Sequence, residues 1–265
     1  MPPSFSIPSN QILPPEIVDH IIDLLFGDIK SLRSCSLVSN GWVHRSRYNL
    51  FANVKFLNLP HFYSWFEAGM GKYSHHVRSL DLTQRPDESK WMIPAKLETS
   101  QHHFTPFCNV KYLSLTDLNL TPFDEHSLTK YFGHFSGHLT SLRLRNCTAH
   151  PDALLFFVCM FPGLDNLKID RFWGGRATVP SRIPATTPRF LGGKLTLKNI
   201  VFITNPIAPF LAVLPNAFEY VCVESCTLRV LRPLNDLFAA CQETIKKVKV
   251  SKVYFGRFHL RGTPP

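Results

Sequence analysis

The chain has 265 residues, 45% hydrophobic and 18% charged, the balance of a folded protein able to bury a large core. Its longest apolar run, Ala153 to Phe161, falls far short of the roughly 18 residues a membrane span needs. The first fourteen residues (MPPSFSIPSNQILP) lack the basic start and apolar stretch of a signal peptide, and seven cysteines form no paired framework, so cytosol or nucleus is expected.

The net charge of +10 is unevenly placed. Residues 1–164 hold 14 Lys and Arg against 13 Asp and Glu, whereas residues 165–265 hold 15 against 6. A basic C-terminal half calls for an acidic partner: an acidic protein segment, an anionic surface or nucleic acid, the last the least expected.

Residues 1–11 carry no periodic pattern and are expected to be disordered. Residues 12–51 read as three short helices. Leu13-Pro14-Pro15-Glu16 marks a helix start, with proline where its missing N–H costs nothing and an acid in the first turn. Ile17, Ile21, Leu24 and Leu25 then form one apolar stripe, and Val18, Ile22 and Leu25 a second, before Gly27-Asp28 ends the helix. Leu32, Cys35, Leu37 and Val38 mark the second helix, and Trp42, Val43, Ser46 and Leu50 the third. A unit of roughly forty residues is too small to cover two apolar faces internally. One face packs within it; the other packs on the rest of the chain or on a partner.

The segment LPPEIVDHIIDLLFGDIKSLRSCSLVSNGWVHRSRYNLF resembles an F-box of the fungal kind. Leu13-Pro14-x-Glu16-Ile17, the Ile21/Leu24/Leu25 positions, Asp28, Leu32, Cys35 and Val38-Ser39-x-x-Trp42 fall where that family has them. Ser39 stands where cysteine is frequent, and Ile29 follows Asp28 where proline is common. The resemblance implies docking onto the Skp adaptor, and through it onto a cullin–RING (SCF) ubiquitin ligase. Leu13, Pro14, Ile17, Ile21, Leu32, Val38 and Trp42 would be contacts or direct supports of the contact surface.

From residue 52 to 265 a second pattern takes over. Short apolar-x-apolar strands recur at Val54/Phe56, Leu80/Leu82, Leu113/Leu115, Leu142/Leu144, Leu167/Ile169, Leu195/Leu197, Val221/Val223 and Val248/Val250. Their spacings are 26, 33, 29, 25, 28, 26 and 27 residues, with helical stretches such as Asp152–Phe161 and Leu234–Cys241 between them. A strand and a helix recurring at this interval is the leucine-rich-repeat pattern. In its clearest copy, Leu139-Thr-Ser-Leu142-Arg-Leu144-Arg-Asn-Cys147, the cysteine caps the turn after the strand; Cys226 has the same offset, and Leu118, Phe172, Ile200, Val253 or Arg85 stand there elsewhere. These repeats resemble the cysteine-containing type joined to F-boxes. The fold expected is therefore α/β: a three-helix F-box followed by an irregular leucine-rich-repeat solenoid with a parallel sheet on the concave face.

No catalytic constellation stands out, and no cofactor is expected. His134-x-x-x-His138 has a ligand spacing, but Gly133 and Gly137 weaken a helix there and no third ligand lies close in sequence. Gly192-Gly193-Lys194 fails the phosphate-loop pattern because no Ser or Thr follows the lysine. Two proline-rich insertions, residues 84–106 and 171–191, interrupt the repeat and offer Trp91, Phe172, Trp173, Arg176, Arg182 and Arg189 as interface anchors.

Strand alternation leaves two outward rows. One holds Lys55, Asp81, Ser114, Arg143, Lys168, Thr196, Cys222 and Lys249; the other holds Leu57, Thr83, Thr116, Arg145, Asp170, Lys198, Glu224 and Ser251. Six basic and three acidic residues favour an acidic or phosphorylated target segment engaging Arg143, Arg145 and Lys168, with Trp173 and Arg176 beside them. The chain is expected to be a non-catalytic substrate receptor of an SCF-type ligase. The alternative is a protein- or nucleic-acid-binding repeat module with no ligase role.

Overall fold

The computed structural model describes residues 13–84, 104–174, 193–200, 218–228 and 232–255. The expected disordered start at 1–11 lies outside them. The chain divides into two compact units, residues 1–53 and 54–265.

The first unit is helical: α1 Pro15–Leu24, α2 Ile29–Val38 and α3 Asn40–Leu50. Pro14 and Pro15 preset the first turn of α1, and Gly27, at φ 95°, takes the chain out of it through a conformation costly for any residue with a side chain. Asp28 then caps α2, accepting hydrogen bonds from the Lys30 and Ser31 amides at 3.2 Å and from the Ser31 hydroxyl at 2.6 Å. Ile22 and Leu32 form the buried apolar centre of the unit. Asp23 ties α1 to α3: Arg45 Nε donates to its Oδ1 at 2.6 Å, Nη2 donates to Oδ2, and Asn49 Nδ2 donates to Oδ1 at 2.9 Å.

The second unit is mixed α/β and is built on one eight-stranded sheet. It begins with β1 Asn53–Phe56, α4 Leu59–Glu67, β2 Ser79–Thr83, β3 Tyr112–Thr116, α5 Glu125–Phe132 and β4 Ser141–Arg145. It continues with β5 Thr148–Ala149, α6 Pro151–Cys159, β6 Asn166–Asp170, β7 Trp173–Gly174 and β8 Gly193–Lys198. It closes with β9 Phe218–Glu224, β10 Thr227–Leu228, α7 Arg232–Ala240, β11 Lys247–Ser251 and β12 Tyr254–Phe255. The large sheet runs β1-β2-β3-β4-β6-β8-β9-β11, and every pair from β2 onward is parallel. The two-residue strands make short parallel pairs of their own, β5 with β7 and β10 with β12.

Register keeps like with like. Leu113, Leu142, Leu167, Leu195 and Val221 are aligned partners across five strands, and Leu115, Leu144, Ile169, Leu197 and Val223 form the parallel line two residues on. All ten are buried in one continuous apolar core, with Leu128 and Phe132 of α5, Leu154, Phe157 and Val158 of α6 and Leu237 of α7. Seven of the eight apolar pairs are buried. The eighth departs from expectation: Val248 and Val250 of β11, at the sheet edge opposite β1, are 44% and 53% exposed.

A single backbone device closes the six strands of the large sheet from β3 to β11. Asp117, Asn146, Arg171, Asn199, Ser225 and Lys252 each follow a strand and each adopt a left-handed conformation, φ between 52° and 59°. The turn swings the next residue inward: Leu118, Cys147, Phe172, Ile200 and Cys226 are buried and Val253 is half-buried. The turns are joined in series. Asp117 N–H donates to the Arg145 carbonyl (2.9 Å), Asn146 to Asp170 (2.7 Å), Arg171 to Lys198, Asn199 to Glu224 and Ser225 to Ser251 (each 3.0 Å). Cys147 Sγ donates to the Leu115 or Arg145 carbonyl (3.3 and 3.4 Å), and Cys226 Sγ lies 3.3 Å from the Glu224 carbonyl. Burial pushes these thiols up to about 12 and about 11, so they stay protonated and serve as donors.

Candidate functional site

Two surfaces stand out, one on each unit. On the helical unit the two stripes of α1 separate cleanly. Ile22 is wholly buried, with Val18 and Leu25 half-buried, whereas Ile17, Ile21 and Leu24 are exposed. Leu13, Phe26, Ile29, Leu37 and Val38 extend the exposed apolar set, Leu37 at 86% and Val38 at 62%. So many exposed large apolar side chains on a unit of this size mark an interaction surface. Beside them, Leu13, Pro15, Val18, Asp19, Ser39, Gly41 and Trp42 line a cleft of about 410 Å³.

Of the residues expected at this surface, Leu13, Pro14, Ile17, Ile21 and Val38 are exposed, and Trp42 is half-buried in the wall of the cleft. Leu32 is inside the unit, 1% exposed, so it supports the surface without forming part of it. Leu24, Phe26, Ile29 and Leu37 are additional exposed apolar groups. Leu24 and Leu37 were legible as apolar helix positions, but their outward direction follows from the packing of α1 and α2 on α3. The Arg45 guanidinium beside Asp23 holds that carboxyl below its ordinary range, helped by Asn49, so the bridge is charged near neutrality.

The second surface is the face of the large sheet opposite the core. It has three rows, not two. Thr116, Arg145, Asp170, Lys198, Glu224 and Ser251 are aligned across β3 to β11, as are Ser114, Arg143, Lys168, Thr196, Cys222 and Lys249. A third row two residues upstream, missed in the sequence, aligns Tyr112, Ser141, Asn166, Lys194, Tyr220 and Lys247. Extending the period-2 alternation by one step would have found it.

Arg143 and Lys168 are register partners in the central row, and the buried Arg143 Nε has no hydrogen-bond partner among the described residues. Arg145 is set opposite Asp170, in a row where charge is already matched: Lys198 pairs with Glu224 at 3.2 Å, and Asp170 accepts from Asn199 Nδ2 at 2.8 Å. Four residues assigned to the outward rows depart from it. Thr83, Asp170 and Cys222 are buried, Cys222 within hydrogen-bonding reach of the Tyr220 hydroxyl, and Leu57 falls beyond the end of β1. Trp173 is 54% exposed, its indole N–H donating to Asn146 Oδ1 at 3.3 Å. Phe172, expected at the binding face, is instead a core residue, turned inward by the left-handed Arg171. Trp91, Arg176, Arg182 and Arg189 lie outside the described residues.

His134 falls in a single 3-10 turn, Gly133–Phe135, not on a helix face with His138. Among the described residues no group of three or more potential metal ligands converges, and no helix is long and apolar enough to cross a membrane. No family model and no curated protein matches the chain.

Proposed function

We propose that this chain is the substrate-recognition subunit of an SCF-type cullin–RING ubiquitin ligase. In this reading residues 12–51 are an F-box holding the Skp adaptor, and the second unit is an irregular leucine-rich-repeat solenoid holding a target protein. The observation that carries it is the two-faced α1: Ile22 packs inward while Leu13, Ile17, Ile21 and Val38, four of the positions matching the F-box pattern, remain exposed. The serial parallel sheet, with one left-handed turn closing each strand from β3 onward, supports the repeat half of the reading. The chain contributes no chemistry of its own. It raises the effective concentration of a target lysine near a charged conjugating enzyme, turning a bimolecular encounter into a near-intramolecular one.

The test is capture of purified Skp adaptor by the full chain and by Val38→Ala/Trp42→Ala. Each truncation removes apolar contact worth on the order of 2–4 kcal/mol where fully buried, enough together to lose a micromolar complex. Loss of capture with the sheet unit still folded supports the assignment. Wild-type recovery of adaptor by the double variant shows that the interface is misplaced; no capture by the wild type assigns the chain to the repeat-module alternative.

A further inference from the structure

The outward face of the sheet is not uniformly basic; its charge is sorted by row. From β4 to β11, the central and upstream rows contain Arg143, Lys168, Lys194, Lys247 and Lys249, and no acidic residue. The row of Arg145 and Lys198 holds the acids of this stretch, Asp170 and Glu224. Two carboxylates border the five cations: Glu219, held by Lys246 at 2.7 Å, and Asp165, exposed just before β6. Among the described residues none of the five cations has a carboxylate within ion-pair distance.

Two of the five cations are also held in place. Tyr220 lies between Lys194 and Lys247 in register, and both ammonium groups approach its ring, at 4.9 and 5.8 Å from the centroid. Such cation–π contacts draw the lysines onto the sheet instead of leaving them to trail in solvent. Like charges gathered at strand spacing repel one another, and a bound polyanion relieves that repulsion.

We infer that the five-cation block formed by Arg143, Lys168, Lys194, Lys247 and Lys249 is the docking site for an extended polyanionic peptide segment, its charges supplied by carboxylates or by phosphorylated side chains. This rests on the reading of the second unit as the target-holding half, and moves the site away from Arg145. Four strand steps separate Arg143 from Lys249, about 19 Å at the usual strand spacing. An extended peptide covers that distance in about six residues. Single-stranded nucleic acid fits less well. Its bases need free aromatic faces, while Tyr220 is occupied by two lysines and Tyr112, the exposed ring of the same row, sits on β3 beyond the cations.

The experiment uses the full chain and three fluorescein-labelled probes across a salt series: an octaglutamate peptide, a serine-rich octapeptide carrying three phosphoserines, and a ten-residue oligothymidylate. At least one peptide binds more tightly than the oligonucleotide, with affinity falling as salt rises. Lys194→Glu/Lys247→Glu weakens that peptide by about tenfold or more, while Arg145→Glu/Lys198→Glu changes it by less than about twofold. Lys168→Gln/Lys249→Gln, a milder change within the same block, weakens it by about threefold. Preference for the phosphopeptide identifies phosphate as the source of charge; equal binding identifies charge alone. Tighter binding of the oligonucleotide, equal losses in the first two variants, or no peptide binding overturns the site. Adaptor capture, measured on the same proteins, stays at wild-type level in all three, so failure of the F-box reading and failure of this site are seen separately.

Discussion

Ile21 and Ile22 are neighbours on α1 with opposite surroundings: Ile22 is completely buried beneath α3, and Ile21 is 39% exposed on the other side of the helix. Both are apolar, and helical geometry turns consecutive residues about 100° apart, so the helix carries an internal face and an external one. The difference predicts a split between stability and binding. Ile22→Ala should cost about 2–5 kcal/mol of local stability, the usual range for a buried aliphatic truncation. Ile21→Ala should cost less than about 1 kcal/mol and weaken adaptor binding instead. Hydrogen exchange at the amides of α1 to α3 in the full chain measures the first quantity, and a titration with adaptor the second.

The bridge between Asp23 and Arg45 makes the helical unit sensitive to acid. Hydrogen bonding from Arg45, opposed by partial burial, sets the Asp23 carboxyl below its ordinary value of 3.8. A carboxyl lowered by folding stabilises the folded state above its unfolded value, and that contribution is lost as pH falls through the lowered one. The melting temperature of the helical unit should therefore hold steady down to about pH 4 and drop below it. Asp23→Asn should melt lower at neutral pH and show a shallower fall in acid. An unchanged acid limb in that variant would remove Asp23 as its source.

The left-handed turns predict an unusual substitution order at residue 146. Asn146 donates to Asp117 Oδ1 and accepts from the Trp173 indole, and its φ is 53°. Asn146→Gly keeps the conformation and loses both contacts, a cost of about 1–2 kcal/mol. Asn146→Val adds the strain of a β-branched residue at positive φ, for about 2–4 kcal/mol. Thermal unfolding of the two variants should rank them in that order; a valine variant as stable as the glycine variant would contradict the turn geometry.

Thiol chemistry gives an independent check on the core. Cys108 is exposed, whereas Cys147, Cys159 and Cys226 are buried, with the first two pushed up to about 12 and the third to about 11. Iodoacetamide at about pH 8 should label Cys108 within minutes and leave these three unmodified until the chain unfolds, because only an accessible thiolate reacts. Peptide mass spectrometry after timed labelling reads this directly.

What was legible in the sequence follows from what periodicity encodes. Alternation in strands such as Leu142-Arg143-Leu144 identified the core face and the register, because a slip of one residue would put Arg143 in the core. Helix signals were equally local: Pro14-Pro15 and Gly27-Asp28 punctuate α1 and α2 by their own backbone chemistry. Exposure of Val248 and Val250 was not legible, since a pattern says which way a residue faces and not whether anything covers it. The left-handed turns were hidden because Arg171 and Lys252 adopt them as well as Asn146 and Asn199, so no residue type flags the position. The sorting of charge by row was missed because the alternation was read two residues per strand too short, leaving out Lys194, Tyr220 and Lys247, which regular register places side by side. In the helical unit, both stripes of α1 were visible, but only the position of α3 decides that the Ile22 stripe is the inner one.

The most direct test of the account is the affinity of purified Skp adaptor for the full chain, set against that for Ile17→Glu/Ile21→Glu. Both isoleucines are already exposed, so charging them should leave the melting profile close to wild type. Each contributes about 1.5–3 kcal/mol if buried against a partner, so the pair together should weaken binding by more than about a hundredfold. The account predicts micromolar or tighter binding by the wild type and near-complete loss in the variant, with folding intact. Equal affinity of the two proteins for the adaptor, or no binding by either, would contradict it.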